Sequence, residues 1–399
     1  MLRGVALTAL AALAFGAAAA AAVAHRLDAN VHHVEVAGLL GPRPTPAAPD
    51  DPAAGRAVNL LLLGSDWREG ANGAIGGRVT DGMRSDTTIV AHVSADRSRV
   101  ELVSIPRDSM VARPSCVTTD GTTIPGSDYS IFNEAFALGW DHGGDLESAA
   151  ACTWRTVEAT TGVRIDDFVL VDFVGFQGIV DAIDGVWICV PHPLDDRKAK
   201  LHVAAGYQRF DGSTALAFAR SRHNQDNDGS DTGRIGNQQR LLAAIADKTL
   251  SSEVLTDVPA VLRLLDSATR SLTTSMRTTD LAGLATSLRG VRTGDVTFLT
   301  VPFGADPRDK YRVVWTDEAA TVWDNVAHDR PVLTGTKDGP APSATARSSD
   351  PTTPAAPPTS TPTTKPTTKP TSKPSPKPTA KPKKAGRDAF TLDDRTASC

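Results

Sequence analysis

The sequence predicts an α/β fold in which helices cover a central sheet. Short apolar runs typical of buried strands alternate with longer segments typical of helices between residues 57 and 335, the predicted folded domain. Polar segments rich in Asp and Arg directly adjoin several of these apolar runs. Because ligands in open α/β sheets bind beyond the carboxyl ends of the strands, these polar segments mark the candidate site.

The predicted elements follow one another in a regular order. The predicted strands are AVNLLLLGSD, TTIVAHVSA, RVELVSIPRD, DDFVLVDF, VWICV and DVTFLTVPFG. The predicted helices are SIFNEAFALGW, ESAAACTWRTVEATTG, VGFQGIVDAID, DGSTALAFARSR, a helix from Thr232 capped by Asp231, SSEVLTDVPAVLRLLDSATRSL, TTDLAGLATSLRG and DEAATVWDNVAHD. Glycines close two of these helices, at Gly162 and Gly185, because glycine readily adopts the conformation that ends a helix.

Composition limits the functions that the chain can have. The 399 residues are 40% hydrophobic, which is enough for one sizeable core. The formal net charge is only -4 and aromatic residues make up 5% of the chain, so no overall basic charge or base-stacking surface is indicated. We therefore expect no nucleic-acid partner, and any anion site must be local.

The first 26 residues are predicted to form a signal-anchor transmembrane helix. No charged residue occurs from Val5 to Ala24, and an apolar helix of about 20 residues spans the roughly 30 Å hydrocarbon core of a bilayer. Ala22-Val23-Ala24 also fits a cleavage site, so a removed secretory signal is the alternative. Both interpretations export the rest of the chain. The favoured one predicts a single-pass protein of the cell membrane with its domain outside the cytoplasm.

Candidate site residues adjoin the first three predicted strands. The first strand ends at Asp66, Arg84 and Asp86 precede the second strand, and Arg107 and Asp108 follow the third. Carboxylates held near one another bind a hard cation such as Mg²⁺, and arginines bind phosphate oxygens through paired hydrogen bonds. Any one Asp in such a position is more often a cap or turn residue, so the prediction depends on their joint occurrence.

The segment ARSRHNQDNDGSDTGRIGNQQR, residues 219–240, gathers further arginines and carboxylates. Arg220 and Arg222 lie at the end of one predicted helix, and Arg234 lies in the first turn of the next. A cation in the first turn opposes the helix dipole, so helix stability does not explain Arg234. A bound phosphate would explain it, because free amides and the guanidinium then act together, with Gln238 on the same side. The pattern predicts a pyrophosphate clamp.

The four cysteines of an exported chain permit disulfides. Cys116, Cys152, Cys189 and Cys399 allow three full pairings. We favour Cys116 with Cys152, since both lie between polar segments where a bridge would restrain a long loop. The sequence has no CxxC or Cys/His spacing typical of a zinc site.

The composition changes near Gly339, and residues 336–387 are predicted to be a disordered tail of Pro, Thr, Ser and Lys. Lysines recur every four residues at Lys365, Lys369, Lys373, Lys377 and Lys381. An inert spacer and a cationic arm for an anionic wall polymer or membrane surface both fit this composition. Residues 388–399 return to ordinary composition and are a candidate for docking back on the domain.

Motifs in their order resemble the LytR-CpsA-Psr family of membrane-anchored cell-wall ligases. The motifs cover roughly residues 57–250 and are LLLLGSD, RSDTTIVAHV, VELVSIPRDS, FNEAFALG, VDFVGFQGIVDAIDGV, AGYQRFDGSTALAFARSR and DTGRIGNQQ. The linker at residues 27–56 contains NVHHVEVAGLLGPRP, which is similar to the membrane-proximal segment of actinobacterial members. The resemblance implies a three-layer α/β/α domain with a central mixed sheet.

The resemblance also implies a phosphotransferase reaction. Such a domain holds a polyprenyl-pyrophosphate-linked glycopolymer with its lipid in an apolar tunnel, to which FVLVDFVGFQGIV would contribute unless those residues simply pack the core. It transfers the phosphoglycan to the muramic acid 6-hydroxyl of peptidoglycan, forms a phosphodiester and releases polyprenyl phosphate, with Mg²⁺ assisting. The sequence does not identify the glycopolymer or a general base; His223 is a minor candidate for polarising the attacking hydroxyl.

Site roles carry over by motif. Asp86 and Asp108 are implied to bind Mg²⁺ or its waters, and Asp231 to orient the clamp. The residues implied to hold the pyrophosphate are Arg84, Arg107, Arg220, Arg222, Arg234 and Gln238. Two departures occur: Asp184 replaces the first glycine of a common Gly-Gly-Val, and Asn237 replaces an often basic residue, which puts its phosphate contact in doubt.

Two other functions fit the same residues. The clamp could deliver water and act as a polyprenyl-pyrophosphate pyrophosphatase, or the chain could bind lipid-linked polymer without catalysis. Several carboxylates beside the arginines favour an enzyme, since capture of an anion needs cations alone. Dependence on an acceptor separates ligase from hydrolase.

Overall fold

The computed structural model describes residues 2–45, 55–67, 71–76, 82–222, 231–251, 254, 256–337, 382–394 and 396–399. The helices within these ranges are α1 (Leu2–Asn30), α2 (Ala71–Gly76), α3 (Glu134–Gly143), α4 (Leu146–Thr161), α5 (Phe173–Ala182), α6 (Gly212–Arg220), α7 (Asp231–Leu250), α8 (Val258–Arg270), α9 (Thr278–Ser287) and α10 (Asp317–Ala327). Short 3-10 turns occur at Ala37–Leu39, Leu288–Gly290 and Thr293–Asp295. Long segments of the chain are therefore helical, as the apolar periodicity predicts.

The strands form one large sheet and several hairpins. They are β1 (His32–His33), β2 (Val58–Ser65), β3 (Ser85–Val93), β4 (Val100–Ile105), β5 (Met110–Arg113), β6 (Cys116–Val117), β7 (Thr123–Ile124), β8 (Ser127–Ile131), β9 (Asp167–Val171), β10 (Val186–Val190), β11 (Leu194–Asp196), β12 (Leu201–Val203), β13 (Gly206–Phe210), β14 (Leu272–Thr274), β15 (Val296–Thr300), β16 (Phe303–Ala305), β17 (Val313–Trp315) and β18 (Phe390–Thr391). The large sheet has the order β1-β14-β9-β2-β3-β4-β15-β18. β2 is parallel to β9, and β4 is parallel to β15. β3 is antiparallel to both of its neighbours, β2 and β4. The prediction of a mixed sheet is confirmed.

β2 lies inside the sheet because it is apolar on both faces. Leu61 and Leu63 belong to the main core, where they are almost fully buried. Leu60 and Leu62 point to the opposite face and pack in a separate cluster. A strand that is covered on both sides reads as a continuous apolar run, which explains the LLLL sequence.

Helical layers cover the two faces of the sheet. Phe136 of α3, Trp154 of α4 and Trp323 of α10 share the main core with Val103 and Phe168 of the sheet. On the other face, α5, α6 and α7 cover β2, β3 and β9 across a cavity. The domain therefore has the three-layer α/β/α arrangement that the family resemblance implies.

The sequence marks several helix ends correctly. Asp145, Asp172 and Asp211 each precede a helix and accept a hydrogen bond from a backbone N–H in its first turn. α4 ends at Gly162, whose φ of 71° is the left-handed conformation that favours glycine. These caps fix the entry of α5 and α6 beside the cavity.

One predicted helix begins too early. The first residues of SIFNEAFALGW lie in β8, and α3 begins only at Glu134. In the antiparallel pair of β5 and β8, Met110 pairs with Ile131 and Val111 with Ser130. Pairing with a distant segment therefore overrides the local helical pattern.

The folded domain also begins before its predicted boundary at residue 57. Val34, Val36 and Leu40 lie in the segment predicted as a linker, yet they are buried in the main core. β1 extends the sheet by pairing in parallel with β14. At least residues 32–40 are therefore part of the domain.

The end of α1 rests on α8. Arg26 Nε donates to Asp266 Oδ1 at 2.9 Å, and Asn30 Nδ2 donates to the same oxygen at 3.1 Å. Within the described residues, we find no helix that is both long and apolar enough to cross a membrane. Anchoring by residues 1–26 stays a prediction.

Two disulfides join distant parts of the chain. One links Cys116 to Cys152, the pair that the sequence favours, and the other links Cys189 to Cys399. Residues 338–381, which include most of the predicted lysine-rich tail, lie outside the described residues. The described chain resumes at Pro382, six residues before the predicted start of the C-terminal segment at 388. This segment adds β18 to the edge of the sheet beside β15.

Candidate functional site

An apolar cavity of about 510 Å³ lies between the sheet and helices α5, α6 and α7. Strands β2, β3 and β9 line one side of it. Its apolar lining includes Leu62, Ile89, Val169, Phe176, Leu216 and Leu241. A cavity of this volume and lining fits hydrocarbon, since ligand pockets of several hundred Å³ bury most of an apolar ligand.

The segment FVLVDFVGFQGIV divides between the cavity and the core. Val171, Phe173 and Ile179 line the cavity. Phe168 belongs to the main core instead, and Val180 is fully buried in a second cluster. Both interpretations of this segment therefore apply, each to different residues.

One end of the cavity is polar because of the order of the strands. β3 is antiparallel to both β2 and β4, so the start of β3 lies beside the ends of its two neighbours. Asp86, near the start of β3, therefore comes close to Arg107 and Asp108, which follow β4. The ends of α6 and α7 complete this region with Arg222 and Arg234, which line the same cavity.

Arg107 joins three of the predicted carboxylates. Its Nη1 lies 2.6 Å from Asp86 Oδ1. Its Nε lies 3.4 Å from Asp108 Oδ2 and 3.5 Å from Asp231 Oδ1. The loop after β4 is thereby linked to β3 and to the first turn of α7.

Arg234 is the most deeply buried cation of the site, with 3% of its side chain exposed. Its Nη2 lies 2.6 Å from Asp231 Oδ1 and donates to the backbone oxygen of Asp86 at 2.9 Å. Its Nη1 lies 3.4 Å from Asp86 Oδ2. Two carboxylates therefore offset the charge that the fold buries at this position.

Arg220 and Arg222 approach from the end of α6. Arg222 Nη2 lies 4.0 Å from Asp231 Oδ1. The Arg220 guanidinium lies over the Phe173 ring, 4.7 Å from its centroid, and lines the cavity. Arg220 thus stands where the apolar lining meets the charged end.

The charges of the cluster shift the pKa values of its members. Burial opposes ionisation of Asp86, but Arg234 and Arg107 outweigh it and lower the pKa of Asp86 to about 2. Burial raises the pKa of Asp231, against the attraction of Arg234 and Arg107. Burial and the same two arginines lower the pKa of Arg222. Cations crowded in this way gain from a bound anion.

The cluster retains donors that its own carboxylates do not satisfy. The Nε atoms of Arg107 and Arg234 are buried and make no hydrogen bond to any described residue. Three arginines, at 107, 222 and 234, lie against three carboxylates at 86, 108 and 231, and Arg220 lines the same cavity. Guanidinium groups bind phosphate oxygens in pairs, so the arrangement suits a phosphate or pyrophosphate group.

Three other predicted residues have different surroundings. Arg84 Nη1 lies 3.3 Å from Asp141 Oδ1, and the backbone N–H of Arg84 donates to Asp66 Oδ1 at 2.7 Å. Asp66 therefore orients the turn before β3. Gln238 lines the cavity and donates to the Ala219 carbonyl at 3.4 Å. The side chain of Arg84 makes no described contact with the cluster around Arg107.

Two further residues support the site without a motif that identifies them. Arg312 Nη1 lies 2.7 Å from Asp108 Oδ1. Asp196 is 2% exposed and accepts hydrogen bonds from the Ser221 hydroxyl and the Arg222 backbone, both at 2.9 Å. In the sequence, Asp196 is only a carboxylate in a short segment between turns, a pattern too common to indicate a site residue.

The substituted position before the glutamine pair has a structural role. Asn237 is buried and donates to the backbone carbonyls of Phe218 and Ser221 at 3.2 and 3.4 Å. It therefore ties α7 to the end of α6. His223 lies outside the described residues.

Asp86 and Asp108 fit the requirements of a magnesium site in part. No group of three or more His, Cys, Asp or Glu side chains suited to a metal occurs in the described parts of the chain. Mg²⁺ commonly takes only one or two protein carboxylates and completes its shell with water and substrate phosphates. Asp86, with its low pKa, supplies an ionised oxygen that it now shares with Arg107.

We predict that Asp86→Asn weakens the fold in a pH-dependent way. Because the folded state lowers the pKa of Asp86 to about 2, its stabilisation is present above the unfolded pKa near 4 and is lost as the pH falls towards 2. The variant should therefore lose about 1 kcal/mol of unfolding free energy at pH 6, allowing for screening, and the deficit should shrink below pH 4. Urea unfolding followed by circular dichroism measures this, with exposed Asp128→Asn as control; equal deficits at pH 6 and pH 2.5 contradict it.

Comparison with known proteins identifies relatives in cell-wall assembly. A model of the LytR_cpsA_psr family matches residues 18–327. The cell wall biosynthesis protein LcpA of Corynebacterium glutamicum is 30% identical over 274 residues, which cover 63% of this chain and 51% of LcpA. The polyisoprenyl-teichoic acid–peptidoglycan teichoic acid transferase TagT of Bacillus subtilis is 30% identical over 248 residues, covering 60% and 67%. The chain thus spans about half the length of LcpA.

Solved structures share the fold. A LytR-Csp2A-Psr enzyme from Actinomyces oris has a TM-score of 0.53 and 21% identity, and the match covers 74% of this chain and 96% of that one. TagT bound to LI-WTA has a TM-score of 0.51 and 22% identity, with 74% and 99% covered. At these identities the likeness establishes the fold alone. Because the family model covers most of the sequence, the chain belongs to the LytR_cpsA_psr family.

Proposed function

We propose that the chain transfers a phosphoglycan from a polyprenyl pyrophosphate carrier to peptidoglycan. The observation that carries the proposal is the apolar cavity that ends in Arg220, Arg222 and Arg234. A polyprenyl pyrophosphate has the matching form, a hydrocarbon chain that ends in a strongly anionic group. The names of LcpA and TagT, which refer to cell wall biosynthesis and to teichoic acid transfer to peptidoglycan, support it.

The proposed reaction exchanges the phosphoanhydride bond of the pyrophosphate for a phosphate ester bond to peptidoglycan. The acceptor hydroxyl of peptidoglycan, the muramic acid 6-hydroxyl in the family reaction, attacks the phosphorus that bears the glycan. The bond from this phosphorus to the bridging pyrophosphate oxygen breaks, and polyprenyl phosphate leaves with the bond's electron pair. The hydroxyl proton is lost to solvent. A phosphodiester between the glycan and peptidoglycan results.

The arginines would stabilise the charge that develops on the phosphates. Positioning and charge neutralisation supply most of the catalysis in phosphoryl transfer. Arg107 and Arg234 are fixed by Asp86 and Asp231, so they need little rearrangement when charge develops. Arg220, between the apolar and charged ends, is placed to meet the head group of a lipid seated in the cavity.

We predict that Arg220→Ala lowers the rate of transfer about 10²- to 10³-fold, the usual effect of removing one donor that stabilises transition-state charge. The rate of Arg220→Lys should lie between those of the unmodified chain and Arg220→Ala, because lysine keeps the charge but not the planar pair of donors. The assay follows a radiolabelled glycan on polyprenyl pyrophosphate in the presence and absence of peptidoglycan oligomers. Arg277→Ala, at a side chain that is 80% exposed, is the control and should keep full activity.

The same assay separates the other functions. Label that reaches the oligomer only when Arg220 is intact supports a transferase. Cleavage of the lipid at an equal rate without acceptor would make the chain a pyrophosphatase. Binding without any cleavage would leave a binding protein.

We also propose that Asp86 and Asp108 hold a magnesium ion with the substrate. When bound, the ion would neutralise phosphate oxygens and draw electron density from phosphorus. The low pKa of Asp86 and the partial exposure of both side chains support this assignment. Arg107 lies against both carboxylates and would share them with the ion.

We predict that EDTA abolishes transfer and that added Mg²⁺ restores it. Asp108→Asn should raise the Mg²⁺ concentration for half-maximal activity about tenfold or more, since it removes one of two carboxylate ligands. Asp309→Asn is a matched control, because Asp309 also pairs with Arg312, at 3.7 Å. Titration of Mn²⁺ by electron paramagnetic resonance, with geranyl pyrophosphate present, gives a readout independent of turnover. Full activity in EDTA would exclude the metal.

We further propose that residues 1–26 keep the chain at the cell membrane with its domain outside. The uncharged run from Val5 to Ala24 supports this localisation. The intact chain should sediment with membranes of the native host, and added protease should digest it in whole cells. Mass spectrometry of the purified protein reads the amino terminus: a chain that starts after Ala24 indicates a cleaved signal, and a soluble chain retained inside cells contradicts export.

A further inference from the structure

We infer that the C-terminal segment, residues 382–399, positions the first turns of α7 and, through them, Arg234. The segment lies beyond the family match, which ends at residue 327. The inference rests on the proposed function, because it takes Arg234 as a phosphate-binding residue. It assigns positioning roles to Gly236, Gln239 and Gly386.

The segment is firmly attached to the sheet. In β18, Phe390 pairs with Phe298 and Thr391 with Thr297 of β15. The rings of Phe390 and Phe298 stack with centroids 5.2 Å apart, and both rings are buried. An aromatic pair of this kind supplies both apolar burial and a fixed geometry.

Just before β18, the segment crosses α7 at very close range. A Cβ atom on Gly386 would lie 2.5 Å from the Thr232 carbonyl oxygen and 2.8 Å from Gly236 N. A Cβ atom on Gly236 would lie 2.4 Å from the Ala385 carbonyl oxygen. All three distances are shorter than real Cβ contacts, so each crossing position requires glycine. Two backbones, rather than flexible side chains, therefore define the contact.

Gln239 joins this crossing to the sheet. Its side chain is 1% exposed, and its Nε2 donates to Ser104 Oγ at 3.0 Å and to Thr300 Oγ1 at 3.1 Å. Its Oε1 accepts from the Gly386 backbone N–H at 2.8 Å. One buried amide thus connects β4, β15, α7 and the C-terminal segment. A buried amide with its donors and acceptor satisfied specifies a single arrangement.

The segment and the site use different faces of the same helix. Thr232, Gly236 and Gln239, spaced by four and three residues, face the segment. Arg234 and Gln238, four residues apart, face the cavity. Since a helical turn is rigid, a close backbone contact on one face also fixes the positions of the side chains on the other face.

The last residue attaches the segment a second time. Cys399 is bonded to Cys189 of β10, and the Cys189 carbonyl accepts a hydrogen bond from the Arg240 guanidinium of α7. The segment is therefore held near α7 at both of its ends.

The first test uses two glycine substitutions in the full-length chain with matched controls. Gly386→Ala adds a methyl group at the crossing, and Gly121→Ala is its control: the φ angles are +86° and +84°, but Gly121 has open space around it. Gly236→Ala adds the methyl group from the helix side, and Gly283→Ala in α9, also with open space, is its control. Both Gly236→Ala and its control raise helix propensity, so a loss confined to Gly236→Ala does not reflect a weaker helix.

The readout is the affinity for geranyl pyrophosphate relative to geraniol, which has the same hydrocarbon without phosphate, by isothermal titration calorimetry. We expect Gly386→Ala and Gly236→Ala each to weaken geranyl pyrophosphate binding about tenfold or more, because small displacements of a clamp cost large factors. The affinity of the two variants for geraniol should change less than about twofold, and so should the affinity of both control variants for either ligand. If the crossing contributes only to general stability, the variants should bind both ligands more weakly by the same factor, and that result overturns the inference.

The outcomes separate the inference from the proposed function. If the wild-type chain binds geranyl pyrophosphate no better than geraniol, the proposed function fails. If it prefers geranyl pyrophosphate and the crossing variants keep that preference, only the inference fails. Should Gly386→Ala not fold, Gly236→Ala and its control decide the matter alone.

Discussion

The burial of the Arg234 guanidinium between two carboxylates is the interaction on which the rest of the site depends. A charge that is 97% covered costs several kcal/mol unless partners of opposite charge lie against it. Asp231 and Asp86 meet that need, but they come from different elements, the first turn of α7 and the start of β3. Arg107 pairs with the same two carboxylates from the loop after β4. These ion pairs therefore favour the relative position of the three elements that also gathers the arginines.

The sheet makes that position possible. Because β3 is antiparallel to β2 and β4, its first residues lie at the edge where its neighbours end. Two of these strands, β2 and β3, also carry apolar residues on the face towards α5, α6 and α7, where Leu62 and Ile89 line the cavity. An apolar space and a set of anchored cations thus share one edge of one sheet. Few ligands satisfy both, and an amphipathic pyrophosphate is among them.

The sequence predicts those parts of the fold that depend on local pattern. The LLLL run of β2, the helix end at Gly162 and the arginines at the ends of α6 and α7 all follow from spacing and residue type. What it does not predict depends on contacts between distant residues. β8 is a strand because it pairs with β5, and Arg312 meets Asp108 across 204 positions of the chain. No local pattern distinguishes either from an ordinary loop or surface residue. The burial of Val36 and Leu40 escapes prediction for the same reason.

The first turn of α7 needs restraint from outside the helix. A cation at Arg234 opposes the helix dipole, and three arginines lie around the Asp231 carboxylate, so the turn gathers positive charge at a cost to the helix. Burial, together with repulsion from Arg234 and Arg107, lowers the pKa of Arg222, and that repulsion acts to open the turn. Contacts with backbone on the opposite face resist such opening without adding charge, and Gly236 against Ala385 is a contact of that kind. A site that gathers positive charge before its ligand arrives therefore gains stability from neutral packing elsewhere on the same helix.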